Sequence, residues 1–241
     1  MNDPVIFITG GNGEIGCEVV SSILKQTNNK ILIATTPDKI ARKKLNDRVE
    51  EIAFDATNRS SVDNVIKKIS SLPILYFIQL HGNSKINDTL GSQTINSLMY
   101  HHNINIFSTT VIISALLNNM KSKNFGRILF MNTSSSEHGG GVDSFGYGMS
   151  KHSISFLVKH IAKYYSKYDI ICNCVSPGLI DTNFHSKVMG RTTKQMHERS
   201  SLVRLQRYGD VSEVSNLIMF LTFNNDFITG QNIKIDGGDF I

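Results

Sequence analysis

The chain has 241 residues, of which 40% are hydrophobic and 19% are charged, and its formal net charge is +5. This length fits one large α/β domain. The lysines and arginines are scattered and form no dense stripe, which argues against a nucleic-acid partner. No run of about 18 apolar residues predicts a transmembrane helix, so we expect no membrane partner.

The cysteines number three, and two of them, Cys172 and Cys174, lie in an apolar run that predicts a strand. An odd count with this placement argues against a disulfide framework and against a zinc site, so we expect no metal. We interpret the cysteines as small buried hydrophobes in a reducing compartment. The start of the chain shows no secretory signal, so we expect a cytoplasmic location.

Short apolar runs alternate with helical patterns along the chain. The runs predict strands at Val5–Thr9, Lys30–Thr35, Glu50–Phe54, Ile74–Leu80, Arg127–Thr133, Ile170–Val175 and Asn232–Ile235. The helical patterns are Glu14–Thr27, Asp38–Asp47, Ser60–Ser70, Thr94–Lys121, Tyr147–Ser166 and Val211–Phe223. Nearly continuous apolar strands are typical of a parallel sheet that is buried on both faces. The order therefore predicts an α/β, single-domain, doubly wound Rossmann fold over residues 1–241, with a seven-stranded parallel sheet flanked by helices.

One segment, residues 183–206, is polar and basic and has weak periodicity. It follows the sixth predicted strand, where loops of this fold class carry function. We interpret it as a mobile lid over a substrate site. The apolar residues among its lysines and arginines are consistent with an acyl or ring substrate that carries an anionic group.

A glycine-rich segment separates the first predicted strand from the first predicted helix. Glycines let the backbone turn sharply and approach a pyrophosphate, which then rests on the N-terminus of the helix. This context favours a dinucleotide site, although a tight glycine turn without a ligand stays open as an alternative. The residues that we expect at the cofactor are Gly10, Asn12, Gly13, Glu14, Ile15 and Gly16.

The end of the second predicted strand bears on the choice of dinucleotide. Thr35 and Thr36 stand where an NAD-binding site usually has an acid that bonds the ribose. Three cations follow closely at Lys39, Arg42 and Lys43, while Asp38 is a competing acid. Neutral hydroxyls beside cations favour NADP(H), and NAD(H) remains possible.

The third predicted strand is followed by Asp55 and Ala56, which we also expect at the cofactor. Asp55 could accept a hydrogen bond from the adenine amine. As a helix N-cap it would be equally suited to its position, and both interpretations stay open.

The most informative motif is Tyr147-Gly-Met-Ser-Lys151, which begins thirteen residues after Ser134. Residues four apart in a helix share one face. A phenol, an ammonium and a hydroxyl so arranged could form a proton-transfer site for carbonyl and alcohol chemistry. Taken alone, a tyrosine and a lysine at this spacing are more often a packed ring beneath a solvated amine.

In these motifs the chain resembles the short-chain dehydrogenase/reductase family, of the small single-domain type, over nearly its whole length. The end of its second strand is similar to that of 3-oxoacyl-acyl-carrier-protein reductases. The resembling segments are Tyr147-x-x-x-Lys151 (the central motif), Gly126–Ser135 (the serine strand), Asn103 (the helix asparagine), Val175–Thr182 (the nicotinamide pocket) and Phe227–Gly238 (the C-terminal end).

The resemblance implies a role for each site residue. Tyr147 is the general acid of reduction, and Lys151 lowers its pKa and binds the nicotinamide ribose. Ser134, with Ser135 as a second choice, holds the substrate oxygen, and Asn103 anchors a water. The remaining cofactor contacts that we expect are Gly82, Pro177, Gly178, Ile180 and Thr182.

Three departures from the family pattern stand out. Glu14 occupies a position that is usually glycine in the first loop. The fourth strand ends Gln79-Leu-His-Gly82 where the family has Asn-Asn-Ala-Gly, and Gln79 could still brace the sheet. The serine strand is also one residue long relative to the tyrosine.

We therefore expect an NADP(H)-dependent oxidoreductase that reduces a ketone or 3-oxoacyl group to a secondary alcohol. The alternatives are an NAD-dependent alcohol dehydrogenase with the same site, a nucleotide-sugar epimerase or dehydratase relative, and a non-catalytic nucleotide-binding relative. Relatives are commonly tetramers built through the helices that bear Asn103 and Tyr147 and through the C-terminal strand, so we expect a homotetramer.

Overall fold

The computed structural model describes residues 4–40, 46–85 and 88–239. The strands are β1 (Val5–Thr9), β2 (Ile31–Thr35), β3 (Val49–Ala53), β4 (Ile74–Gln79), β5 (Gly126–Met131), β6 (Ile170–Pro177) and β7 (Asn232–Ile235). The α-helices are α1 (Glu14–Gln26), α2 (Arg59–Ser70), α3 (Ile95–His102), α4 (Ser108–Lys123), α5 (Ser135–His138), α6 (Phe145–Tyr165), α7 (Thr193–Ser200) and α8 (Val211–Phe223). Two π-helical turns lie at Asn103–Phe107, between α3 and α4, and at Phe184–Val188, after β6.

The strands form one seven-stranded sheet in the order β3-β2-β1-β4-β5-β6-β7. Every neighbouring pair is parallel. The chain winds outward in opposite directions from β1 and from β4, so the loops after these two strands diverge and leave a crevice at their carboxyl ends. The predicted doubly wound Rossmann fold is therefore confirmed.

Separate hydrophobic clusters bury the two faces of the sheet. Along β1, Ile6 and Ile8 pack with α1 and α8, whereas Phe7 packs with α2, α4 and α6 on the other face. Side chains alternate between the faces of a strand, so a strand covered on both sides needs an apolar residue at nearly every position. This burial explains the continuous apolar runs in the sequence. In the part of the chain that the structure describes, no helix is both long and apolar enough to cross a bilayer.

The seven predicted strands all occur, with ends that shift by no more than two residues. The predicted helix Asp38–Asp47 begins as a 3-10 turn at Pro37–Lys39, and residues 41–45, with Arg42 and Lys43, lie outside the described residues. The predicted helix Thr94–Lys121 is divided by the first π turn. The segment 183–206 contains the second π turn and α7, so it is more regular than its weak periodicity predicted.

Candidate active site

The start of α6 is held by a buried aspartate. Asp88 is 3% exposed, and its Oδ2 accepts a hydrogen bond from the Tyr147 N–H at 3.0 Å. Its main-chain carbonyl accepts a second bond from the Phe145 N–H at 2.8 Å. A Cβ at Gly146 would lie 2.8 Å from His101 Nδ1, so only glycine lets the helix approach this closely. These contacts fix the position of the helix that carries the Tyr-x-x-x-Lys motif.

The motif faces a cavity of about 690 Å³ at the carboxyl ends of the central strands. Several predicted site residues line it together: Ile15, Gly82, Ser134, Ser135, Tyr147, Lys151, Pro177, Gly178, Ile180 and Thr182. The predicted lid segment adds Phe184, His185, Met189, Arg191, Arg199 and Leu202. Residues that lie far apart in the chain thus form one chamber.

Lys151 is 1% exposed, and its Nζ donates a hydrogen bond to the Met131 carbonyl oxygen at 2.8 Å. Burial lowers the pKa of Lys151 from 10.5 to about 7, because a charged ammonium is poorly solvated there. A Cβ at Gly82 would lie 2.9 Å from Lys151 Nζ and 3.1 Å from Asn105 Oδ1. The lysine and this asparagine therefore face the same point, and glycine keeps that point open.

The asparagine that the structure places beside Gly82 and Lys151 is Asn105, whereas we predicted Asn103. Asn105 is fully buried, and its Nδ2 donates to the Asn83 carbonyl and to Ser150 Oγ, each at 3.0 Å. Its Oδ1 accepts the Asn83 N–H at 3.0 Å. Asn103 is partly exposed, and residues two apart in a helix point in different directions. The π turn changes the helical phase, which is why the sequence did not distinguish the two.

Thr133, which the sequence analysis did not name as a site residue, lines the cavity together with Tyr147. Burial raises the pKa of Tyr147 above its usual value, and a hydrogen bond with the Thr133 side chain opposes part of that shift. The lowering of that pKa by Lys151 stays a prediction. Ser134 and Ser135 line the same cavity, and Ser134 is 1% exposed with its N–H bonded to the Pro177 carbonyl at 3.0 Å. The sequence did hold a signal for Thr133. The segment between the strand and Tyr147 is one residue longer than in the family pattern, so counting forward from the strand indicates Thr133, whereas counting back from the tyrosine indicates Ser134.

The unusual end of β4 is a hydrogen-bonded brace. Gln79 Oε1 accepts the Met131 N–H of β5 at 3.2 Å, and Gln79 Nε2 donates to the His81 carbonyl, so the predicted bracing role of Gln79 is confirmed. The His81 ring bonds Thr9 Oγ1 through Nδ1 at 2.7 Å and the Ile104 carbonyl through Nε2 at 2.9 Å. Burial lowers the pKa of His81 to about 3, so the ring is neutral at physiological pH.

The glycine loop has the form that a diphosphate requires. Gly10 adopts a φ of +75°, and a Cβ there would lie 2.7 Å from the His81 nitrogen. Gly16 packs so closely on the Gly10 carbonyl that a Cβ would collide with it. No side chain caps the N-terminus of α1 at Gly13, so its first N–H groups are available to an anion. Asn12 Nδ2 donates to the Lys39 carbonyl at 3.1 Å and ties the loop to the turn after β2.

The residues predicted to contact the ribose and the adenine differ in whether a ligand can reach them. Thr35 is 1% exposed and its hydroxyl is buried without a hydrogen-bond partner, whereas Thr36 is exposed, so Thr36 is the one that can reach a ligand. Asp55 Oδ1 accepts from the N–H and the hydroxyl of Thr57, at 2.9 and 2.7 Å. The N-cap of α2 is Asn58, so the capping alternative for Asp55 is wrong.

A family model described as "Enoyl-(Acyl carrier protein) reductase" matches residues 14–239. The chain belongs to the short-chain dehydrogenase/reductase family. The predicted family and the predicted class, an oxidoreductase, are thereby confirmed.

Members of this short-chain dehydrogenase/reductase family match the chain from end to end. The 3-oxoacyl-[acyl-carrier-protein] reductase FabG of Buchnera aphidicola subsp. Acyrthosiphon pisum (strain APS) is 26% identical and covers 100% of this chain and 99% of its own. The Dehydrogenase/reductase SDR family member 6 of Xenopus laevis is 25% identical, with 99% and 98% covered. A solved short chain dehydrogenase family protein from Francisella tularensis subsp. tularensis SCHU S4 is 26% identical, with a TM-score of 0.84 and 98% of each chain covered.

Proposed function

We propose that this chain is an NADP(H)-dependent reductase that converts a ketone or a 3-oxoacyl group to a secondary alcohol. The observation that carries the proposal is the meeting of Tyr147, Thr133 and Lys151 in one cavity beside the glycine loop. Relatives named 3-oxoacyl-[acyl-carrier-protein] reductase favour an acyl substrate over other carbonyl compounds.

The glycine loop and the uncapped start of α1 would hold the diphosphate of the dinucleotide. Thr36, exposed after β2, would accept the phosphorylated ribose of NADP(H), because no carboxylate stands at that position to repel it. Gly82 and the segment from Pro177 to Thr182 would surround the nicotinamide. When bound, the dinucleotide supplies the hydride.

The protein's own part is the handling of a proton. Burial raises the pKa of Tyr147, so the phenol stays protonated at neutral pH, which is the state that a general acid needs. The Thr133 hydroxyl, bonded to the phenol, would hold the substrate oxygen beside it and stabilise the charge that develops there. Lys151 and Asn105 would return a proton to the Tyr147 phenol after each turnover. A protonated phenol is the form that donates a proton in reduction, whereas the alternative, NAD-dependent alcohol oxidation, uses the phenolate.

The test is a direct assay of the purified protein. We would follow nicotinamide oxidation with NADPH or NADH against acetoacetyl thioesters, simple ketones and cyclic ketones, and titrate each cofactor by fluorescence. We expect turnover of a 3-oxoacyl thioester and tighter binding of NADPH. Binding of NADPH without turnover of any carbonyl compound would contradict the proposed activity, and tighter binding of NADH would contradict the cofactor choice.

A homotetramer is the assembly that we propose for this reductase. Large apolar side chains are exposed around two long helices: Phe107 (47%) just before α4, Val111 (45%) on α4, and Phe156 (74%) and Tyr164 (52%) on α6. Such rows are typical of surfaces that a second copy covers. A native mass of one chain in solution would contradict the assembly and leave the chemistry untouched.

A further inference from the structure

Glu14 occupies the loop position where the family pattern has glycine, and its carboxylate has a specific partner. Glu14 Oε2 accepts the backbone N–H of Asn183, and Oε1 accepts Asn183 Nδ2, both at 2.8 Å. Two bonds to one carboxylate fix direction as well as distance, and an ionised acceptor strengthens each of them. The two residues are 169 positions apart in the chain.

Asn183 is the first residue of the predicted lid segment, and its neighbour Phe184 begins the π turn there. The Phe184 ring lies 6.0 Å from the Tyr147 ring, centroid to centroid, and both line the cavity. The carboxylate contact is thus one residue away from an aromatic wall beside the phenol. It joins the start of α1, where a diphosphate would rest, to that wall.

The far end of the same segment is attached elsewhere. Arg199 forms an ion pair with Asp239, and the Leu205 N–H donates to the Gly237 carbonyl at 3.2 Å. The segment is therefore held at its end by the C-terminal part of the chain and at its start by Glu14. A glycine at position 14 has no side chain with which to make the second attachment.

We propose that Glu14 is a positioning residue that fastens the start of the lid to the cofactor loop and so keeps Phe184 against Tyr147. The catalytic consequence rests on the proposed reductase function, whereas the attachment itself does not. Glu14 leaves the dinucleotide site open because its carboxylate is engaged by Asn183.

The attachment can be tested without any activity assay, by limited trypsin digestion of the full chain. Trypsin sites at Lys187 and Arg191 lie just after the attachment. Glu14→Ala should speed cleavage there about tenfold, since loss of a charge-assisted pair frees the local opening of the segment. Glu14→Gln, which keeps one acceptor oxygen, should give an intermediate rate. Glu18→Ala, one turn further along α1, is the matched control and should cleave as the wild type does.

Equal cleavage of Glu14→Ala and the wild type at both sites would overturn the proposal. Asn183→Ala gives a second and milder route, because it removes the side-chain bond and keeps the backbone N–H. Its effect should be smaller than that of Glu14→Ala, and the double variant should cleave no faster than Glu14→Ala alone. Additive effects in the double variant would also overturn it.

Steady-state kinetics then separate positioning from folding. Glu14→Ala should raise the KM for the carbonyl substrate about tenfold with a smaller change in kcat, and Glu14→Gln should recover part of that loss. The fluorescence titration should give Glu14→Ala an NADPH affinity at least equal to that of the wild type, because a negative charge near the diphosphate is removed. An unchanged carbonyl KM would overturn the positioning role. Should the wild type itself reduce no carbonyl compound, the proposed function fails while the digestion result still stands.

Discussion

The candidate site combines a regular helix with irregular turns, and the two differ in how well their sequence predicts where their side chains lie. Helix α6 presents Tyr147 and Lys151 one turn apart with ordinary helical geometry. Asn105 comes from a π turn, and Thr133 lies in the loop after β5. Regular geometry lets spacing in the sequence predict spacing in space, whereas one extra residue in a turn redirects every side chain after it. Variants of both parts can break or sharpen this contrast.

The largest effect should follow the loss of the phenolic hydroxyl in α6. Tyr147→Phe keeps the ring and its packing on Phe184, yet removes the general acid, so kcat should fall about 10³-fold. Tyr164→Phe, in the exposed last turn of the same helix, is the control and should be unaffected. Turnover by Tyr147→Phe near the wild-type level would refute the proposed chemistry.

Lys151→Met should separate activity from stability. Activity should fall about 10²-fold or more, since proton supply to the phenol is lost. The folded pKa of about 7 lies below the usual 10.5, so the unfolded chain holds the proton more tightly and the charge opposes folding. The opposition is full below about pH 7 and disappears as pH rises from 7 to 10.5.

Chemical unfolding across that pH range measures the effect. Below pH 7 the methionine variant should be more stable than the wild type by about 2 kcal/mol, after the unpaired Met131 carbonyl is allowed for. The difference should shrink toward pH 10. Lys159→Met, an exposed change on the same helix, should show neither trend. A stability difference that is independent of pH would show that the buried lysine is not the cause.

In the irregular segments, the next largest change in kcat should come from the neighbouring hydroxyls of Thr133 and Ser134. Thr133→Ala should lower kcat about 10²-fold because the contact with the phenol is lost. Ser134→Ala should lower it by no more than about threefold, since it is the Thr133 hydroxyl, and not that of Ser134, that bonds the phenol. Thr133→Ser should retain most activity. The reverse ranking of the two alanine variants would restore the serine that the sequence predicted.

The asparagine pair should give the smallest effect and the sharpest comparison. Asn105→Ala should lower kcat about tenfold and steepen its pH dependence, because the proton path beside Lys151 loses a bonded group. Asn103→Ala, two residues earlier, should remain within about twofold of the wild type. Equal losses in both would mean that helix integrity, and not the buried amide, is being measured.

The sequence predicts the regular segments of the molecule better than the irregular ones. The continuous apolar strands, the glycine loop and the Tyr-x-x-x-Lys turn all follow from rules of short range, and each was predicted. The position of Asn105 beside Lys151 could not be predicted, because the change from α to π geometry leaves no mark in composition. The position of Thr133 could not be predicted, because the sequence does not show whether the extra residue between the strand and Tyr147 lies before or after the hydroxyl that faces the phenol. The bond between Glu14 and Asn183 spans 169 positions, so only the folded chain reveals it.

The brace at the end of β4 restricts which substitutions the chain can accept. Gln79 reaches across to the Met131 amide, and the carbonyl of that same residue receives Lys151. Asparagine, one methylene shorter, would stop short of the neighbouring strand and leave a buried donor unsatisfied. The length of the side chain at position 79 therefore sets how firmly β4 holds β5, and Gln79→Asn should lower the stability of the sheet at the point where Lys151 is anchored.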